Sequence, residues 1–391
     1  MGKYNFDISI DRRKTYSARW DVKENELPLN IADMDFEVLP EIKEAIKNRA
    51  ELDCYGYIDT PKSYFEAYIS WWNRRHDVEL KLEWFSFSTY VVGSIDSILK
   101  RLCKPNEQVV LFTPVYNVFF NCIRNNQLKV RECDLLEKDD SYEIDWDKFE
   151  NILKEESTKA FILCNPHNPV GKGFSVSELD KIINLCEKYN VYLISDEIHC
   201  DLDMNIERYN SIFKSRYSDY KNIILLISPT KAFNIAGLQS SAVVIKDKEL
   251  HELVQNGLYQ DDIGEPNYFA VDPIIAAYNF GDDYVNELNE YIKENKRIFS
   301  ENLDKNASKL KIKGENFTYL IWIDISYYGL DSKTFCERLK DETGLIIAPG
   351  INYGSNFDSF IRINLASPRK NIVDGCHRLN SFISKIEGEI K

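Results

Sequence analysis

Four short apolar runs in this chain each end in side chains that can do chemistry. QVVLFTP leads into Val115-Tyr116, and KAFILCNP into His167-Asn168-Pro169. VYLISDEI carries Asp196, with His199 three residues on, and NIILLISP opens onto Thr230-Lys231. A lysine amine at a cleft forms a Schiff base with a carbonyl group. An aspartate keeps a pyridine nitrogen protonated, which turns the ring into an electron sink. An aromatic side chain such as Tyr116 stacks on a planar ring. The hydroxyls of Ser228 and Thr230 suit a phosphate, as do the free amides of a helix start. Arg362, in FIRINLA, can grip a carboxylate with two parallel N–H groups. Together with Asn168, these residues meet the requirements of pyridoxal-phosphate chemistry on an amino acid.

Such groups must be brought to one place by the elements that carry them. The apolar runs between about Gln108 and Ile245 are continuous rather than alternating, which suits strands buried on both faces. Helical patterns lie between them. Ser175-Val176-Ser177-Glu178 has the form of a capping box, and Leu179, Ile182, Ile183 and Cys186 follow at helical spacing. Strands alternating with helices predict an α/β layer architecture with a mostly parallel sheet. Such sheets bind ligands outside the carboxyl ends of their strands, where these runs deliver their polar groups. After about Tyr284 the pattern changes to a long charged helix (YVNELNEYIKENKRIFSENL), then TYLIWIDI, another helix and IRINLA. The expected organisation is a large α/β domain over 46–284 and a smaller α+β domain built from 1–45 with 285–391.

The bulk properties exclude several classes. A formal charge of −14, spread along 391 residues, argues against nucleic-acid or anionic-membrane partners, which need a basic footprint. The nine cysteines are odd in number and scattered, the usage of a reducing compartment rather than a disulfide framework. The amino terminus, MGKYNFDISIDRRK, has no apolar h-region, and no run reaches the ~18 apolar residues of a membrane span. The expected location is cytoplasmic. Asp196, Glu197, His199, Cys200 and Asp201 could be read as a metal cluster. Strand alternation separates their faces, and no second ligand group stands at a known spacing, so no metal is expected. His167 also reads as a loop hydrogen-bonder, and Cys164 and Cys200 as small packing residues.

The chain resembles the fold type I pyridoxal-phosphate enzymes of the class I/II aminotransferase superfamily, and among them the MalY/PatB-type cystathionine β-lyase (C–S lyase) branch. The resemblance runs nearly end to end through NIADMDF, YGY, TPVYNVF, LCNPHNPVG, SDEIHCDL, SPTKAFNIAGLQ and APG…FIRINLASPR. It implies pyridoxal 5'-phosphate as cofactor, with Lys231 as the lysine that binds it and later shuttles the Cα proton. Asp196 would pair with the ring nitrogen, Asn168 and His199 with the phenolic oxygen, and Tyr116 would stack on the ring. Ser228, Thr230 and the amides of Val91 and Val92 would hold the phosphate. Tyr57 would reach the neighbouring subunit's cofactor in a homodimer. Arg362, with Asn168 and Asp33, would bind the amino-acid substrate.

The implied reaction is α,β-elimination of cystathionine or other cysteine S-conjugates to a thiol, pyruvate and ammonia. An aminotransferase is the alternative, and a regulatory binding protein on the same fold is a third reading. Gln239, eight residues after Lys231, stands where many aminotransferases carry a phosphate-clamping arginine, and it marks the lyase branch. Two departures from the family pattern stand out. Tyr90 occupies the place of a glycine before Val91-Val92, and the polar segment LDMNIERYNSIF after Asp201 is expected to alter the substrate entrance.

Overall fold

The apolar runs become strands of one sheet because both of its faces are covered. The computed structural model of the chain describes residues 2–204, 209–303 and 309–390. The large sheet comprises β1 (Phe85–Ser88), β2 (Gln108–Thr113), β3 (Lys129–Asp134), β4 (Thr158–Cys164), β5 (Tyr192–Asp196), β6 (Ile223–Ile227) and β7 (Ser241–Val244). Their order across the sheet is β1-β7-β6-β5-β4-β2-β3. All run parallel except β7, which is antiparallel to both β6 and β1. The fold is α/β with a mostly parallel central sheet, as expected.

Alternate residues of each strand serve the two faces. Val109, Leu111, Ile162, Ile194, Leu226 and Val243 pack on the side of helices Val91–Leu102 and Lys248–Gln260. Val110, Phe112, Phe161, Leu193 and Leu225 pack towards helices Lys62–His76 and Val176–Lys188. The predicted capping box starts the second of these. Ser175 Oγ accepts from the Glu178 amide at 3.2 Å, while the Ser175 amide donates to Glu178 Oε2 at 2.8 Å. Two donors that the helix cannot satisfy internally are thereby paired.

Towards the carboxyl terminus, Lys311–Lys313, Leu320–Asp324, Phe360–Asn364 and Ala348–Pro349 form an antiparallel sheet in that order. Its core includes Ile323, Phe335, Leu339, Ile361, Ile372 and Phe382. The long helix runs over Asp282–Asn302. The amino-terminal segment touches both cores. Leu27–Pro28 pairs in parallel with Leu345–Ile346, and Trp20 and Leu29 join the carboxyl-terminal core. Phe6, Met34 and Phe36 instead join the core under the large sheet.

A tight seam links the two sheets. The Glu315 amide donates to Val170 O at 2.9 Å and the Phe317 amide to Gly171 O at 3.2 Å. On the other side, the Met204 amide reaches Asn316 O at 3.2 Å and the Thr318 amide reaches Leu202 O at 2.9 Å. Gly171 has a φ of +62°, and a Cβ there would lie 2.4 Å from Glu315 O. Leu202 to Met204, the start of the segment expected to alter the entrance, are thus pinned to this seam; residues 205–208 lie outside the described residues. All nine cysteines carry free thiols.

Candidate active site

The carboxyl ends of β4, β5 and β6, together with Tyr116 beyond β2, open onto one cavity of ≈ 150 Å³. Tyr116, Asn168, Asp196, His199, Ser228, Thr230, Lys231, Val91 and Val92 all line it. Ala32, Thr89, Tyr90, Cys164 and Gln239 line it as well. Val91 and Val92 are the first two residues of the helix Val91–Leu102, so their amides have no partner within the helix.

Asp196 ends β5 as a buried carboxylate that accepts the Ile198 amide at 3.1 Å. Among the described residues no cation forms an ion pair with it. Burial pushes its carboxyl up to about 7, against the pull of the Ile198 amide and of Lys231. A buried carboxylate of this kind wants a cationic partner, and a protonated ring nitrogen fits that need. The adjacent Glu197 has the opposite character. It accepts from Ser195 Oγ at 2.8 Å, Ser211 Oγ at 2.7 Å and the Ile212 amide at 2.9 Å, and also from the Tyr209 hydroxyl. Its acceptor capacity is used in tying the 209–212 loop to the end of β5, so it is a structural carboxylate.

Lys231 follows β6, and its Nζ donates to Ala32 O at 2.7 Å. Desolvation lowers the amine to about 8; Asp33 and Asp196 oppose that fall and Arg362 adds to it. Asn234 fixes the lysine loop against the amino-terminal segment. It accepts from the Met34 amide at 3.0 Å and donates to Met34 O and Phe36 O. Ser228 and Thr230 hydroxyls lie 2.8 Å apart, and Ser228 Oγ donates its single proton to Ser240 O at 2.7 Å. Thr230 therefore supplies the proton between them, and it is the hydroxyl that can turn towards an anion.

Arg362 is a buried guanidinium for which no carboxylate partner occurs among the described residues. Its Nη1 donates to Asn168 Oδ1 at 3.2 Å and its Nη2 to Asn30 O at 2.7 Å, while Nε has no partner. Its carbon Cζ stands 4.8 Å from the centre of the Tyr353 ring. This donor set, unmatched by charge, fits an incoming carboxylate. By fixing Oδ1, Arg362 also directs the amide nitrogen of Asn168 to act as a donor. His199 is buried with Nδ1 unpartnered, and burial pushes its imidazole down to about 3, so it is neutral. Burial pushes the Tyr116 phenol up to about 12, so it stays protonated.

Other expected residues are placed differently. Asp33 does not line the cavity; its two carboxylate oxygens are held by Arg12 at 2.6 Å and Arg19 at 3.2 Å. Its charge, though paired in this way, still opposes the fall of the Lys231 amine. Tyr57 is fully exposed and does not line its own chain's cavity. Tyr90 leaves the helix start intact, because its extended backbone (φ −165°) needs no glycine. Its ring lies over Gly93, where a Cβ would meet Tyr90 Cζ at 2.7 Å.

His167 sits with both ring nitrogens facing carbonyls, Pro114 O at 2.8 Å and Cys164 O at 3.1 Å, which ties β2 to β4. His76, Cys200 and Asp201 lie close enough to share an ion. However, the Asp201 oxygen facing them is already engaged by His76 Nε2 at 2.9 Å and Trp71 Nε1 at 3.0 Å. Two features escaped the sequence: the Ala32 carbonyl beside the cavity, which no side-chain pattern reveals, and, behind it, the buried Tyr319, which donates to that carbonyl at 2.9 Å.

Residues 24–379 match the family model for aminotransferase class I and II. The chain is 34% identical to cystathionine β-lyase PatB of Bacillus subtilis, over 97% of this chain and 100% of that protein. Among solved structures, cystalysin from Treponema denticola, which contains a pyridoxal 5'-phosphate cofactor, superposes with a TM-score of 0.93 at 31% identity, covering 99% of this chain and all of that one. The pyridoxal-phosphate-bound C–S lyase of Staphylococcus hominis gives 0.91 at 30% identity, over 97% and 98% of the two chains. With a family match over most of its length and a curated relative aligned from end to end, the chain belongs to the class I and II aminotransferase family.

Proposed function

We propose that this protein is a pyridoxal-phosphate-dependent C–S β-lyase that converts L-cystathionine or another cysteine S-conjugate, with water, to a thiol, pyruvate and ammonia. The cavity supports pyridoxal phosphate as its ligand. Lys231 would hold it covalently, Asp196 would face its ring nitrogen, Tyr116 its ring, and Asn168 and His199 its phenolic oxygen. Thr230 and the amides of Val91 and Val92 would take its phosphate, with Ser228 beside them once its proton turns from Ser240 O. Bound there, the group supplies an aldehyde carbon that captures amines and a ring that accepts the electron pair left at Cα.

The chain's own residues account for the rest. Arg362 takes the substrate carboxylate and thereby fixes which Cα bond faces Lys231. Lys231 Nζ, lowered to about 8, is substantially neutral at the upper end of physiological pH and removes the Cα proton. Asp196, once opposite a cation, stays ionised and keeps that cation protonated. The neutral His199 and the protonated Tyr116 add no charge to the phenolic side. Burial of Asp196, Asn168 and Arg362 keeps water from screening these contacts.

The end-to-end likeness to a protein named cystathionine β-lyase carries the elimination reading, because the cavity by itself suits transamination equally well. Incubation with L-cystathionine should release pyruvate and thiol in equal amounts. Amino transfer to a 2-oxo acid without pyruvate would replace the lyase by an aminotransferase. The same reading includes a cytoplasmic homodimer in which exposed Tyr57 reaches the neighbouring cofactor. It also includes the division into 46–284 and 1–45 with 285–391; the carboxyl-terminal core with Trp20 and Leu29 supports it, whereas Phe6, Met34 and Phe36 pack under the large sheet. No described helix is long and apolar enough to cross a membrane.

A further inference from the structure

The segment Asn30–Asp33 runs past Lys231 with each of its four carbonyls taken by a side chain. Asn30 O accepts from Arg362 at 2.7 Å, Ile31 O from Asn364 at 2.6 Å, and Asp33 O from Asn364 at 2.7 Å and Arg19 at 2.9 Å. Ala32 O accepts twice, from Lys231 Nζ at 2.7 Å and from the Tyr319 hydroxyl at 2.9 Å. Tyr319 is fully buried and joins the seam segment to the strand Leu320–Asp324. Its backbone is held as well, since Tyr319 O accepts the Leu365 amide at 2.9 Å. Its ring meets His199 edge-on, with centres 6.0 Å apart.

A carbonyl oxygen has two lone pairs, and here one faces a phenol and the other the reactive amine. Burial raises the phenol well above its ordinary range, so Tyr319 only donates. We propose that Tyr319 is a positioning residue for Lys231: by occupying one lone pair of the Ala32 carbonyl, it fixes where the amine rests and weakens the carbonyl's hold on the protonated amine. The amine is then parked within reach of the cavity and loses its proton more readily than it would beside an unshared carbonyl. The charged or titratable groups around Lys231 are Asp33 with Arg12 and Arg19 behind it, Asp196, Arg362 and the neutral His199. Removing the Tyr319 hydroxyl alters none of them directly.

The inference rests on Lys231 being the cofactor lysine, and the test separates the two. The rate at which apoprotein captures pyridoxal phosphate is followed by absorbance between pH 6 and 10, because only the neutral amine attacks the aldehyde. Tyr319→Phe should move the midpoint of that profile up by about half to one pH unit, with capture at pH 7 slowed roughly 3- to 10-fold. In the loaded enzyme kcat should fall about 10-fold with KM within about two-fold, because the substrate is not touched. Site-specific 3,5-difluorotyrosine at 319, a stronger donor of the same shape, should move the capture midpoint down. An unmoved midpoint in both variants, or a rise in KM alone, would overturn the positioning role. Failure of the wild-type apoprotein to capture the cofactor at all would overturn the Lys231 reading and this inference with it.

Discussion

Asp196 makes the unliganded protein less stable than it could be, and the effect has a definite pH dependence. Its folded-state value of about 7 lies above the ordinary 3.8, so the folded form holds a proton that the unfolded chain has already lost. Apoprotein stability therefore falls as pH rises from about 4 to 7, and the full cost is present above 7. Asp196→Asn should raise the unfolding free energy of the apoprotein at pH 8 by up to ~4 kcal/mol and leave it unchanged at pH 4. Urea unfolding at the two pH values measures this, and a gain at both would mean that ionisation is not its source. Arg362→Ala should raise KM roughly 10- to 100-fold, and Arg362→Lys should recover little, because lysine lacks the planar fork. An unchanged KM would remove Arg362 from the carboxylate. At this scale the sequence was most informative, since the chemistry demands particular residue types at strand ends. Tyr319 was not legible, because TYLIWID reads as a core strand. Glu197 was grouped with metal-binding candidates, because its partners Tyr209, Ser211 and Ile212 come from a loop whose path no periodicity predicts.

Among the elements, the continuous apolar runs announced strands covered on both faces, and the capping box marked a real helix start. The direction of β7 was not legible, because a strand buried on both faces reads the same either way. The connection from Ile227 to Ser241 holds only a short helical turn and no crossover helix, and such a link returns the chain antiparallel. The start of the helix Val91–Leu102 shows how a departure is accommodated. Tyr90 lays its ring over Gly93, which omits the Cβ that the ring would strike. Gly93→Ala should force the ring aside and weaken cofactor affinity about 3- to 10-fold, and adding Tyr90→Gly should restore it. Equilibrium titration of the four proteins gives the coupling, and strictly additive effects would show that the two positions do not compensate.

For the whole molecule, the seam is the feature that pattern reasoning reached least. Gly171 is required by both its positive φ and the backbone oxygen facing it. Gly171→Ala should cost about 2–3 kcal/mol, read as a lower urea midpoint with unchanged slope. A light-scattering mass of twice the subunit is expected, and Tyr57→Phe should weaken cofactor affinity without changing that mass. A mass of one subunit would leave Tyr57 with no cofactor to reach.

The carbonyls of Asn30 to Asp33 also order events in time. Their partners Arg362 and Asn364 lie more than 330 positions downstream. On the ribosome, residues 30–33 emerge long before those side chains are made. The large sheet can close while its catalytic edge is still unfinished, and contacts this distant in sequence form late. A chain arrested before residue 360 should therefore fold its β1–β7 sheet yet leave the Lys231 amine without its finished setting.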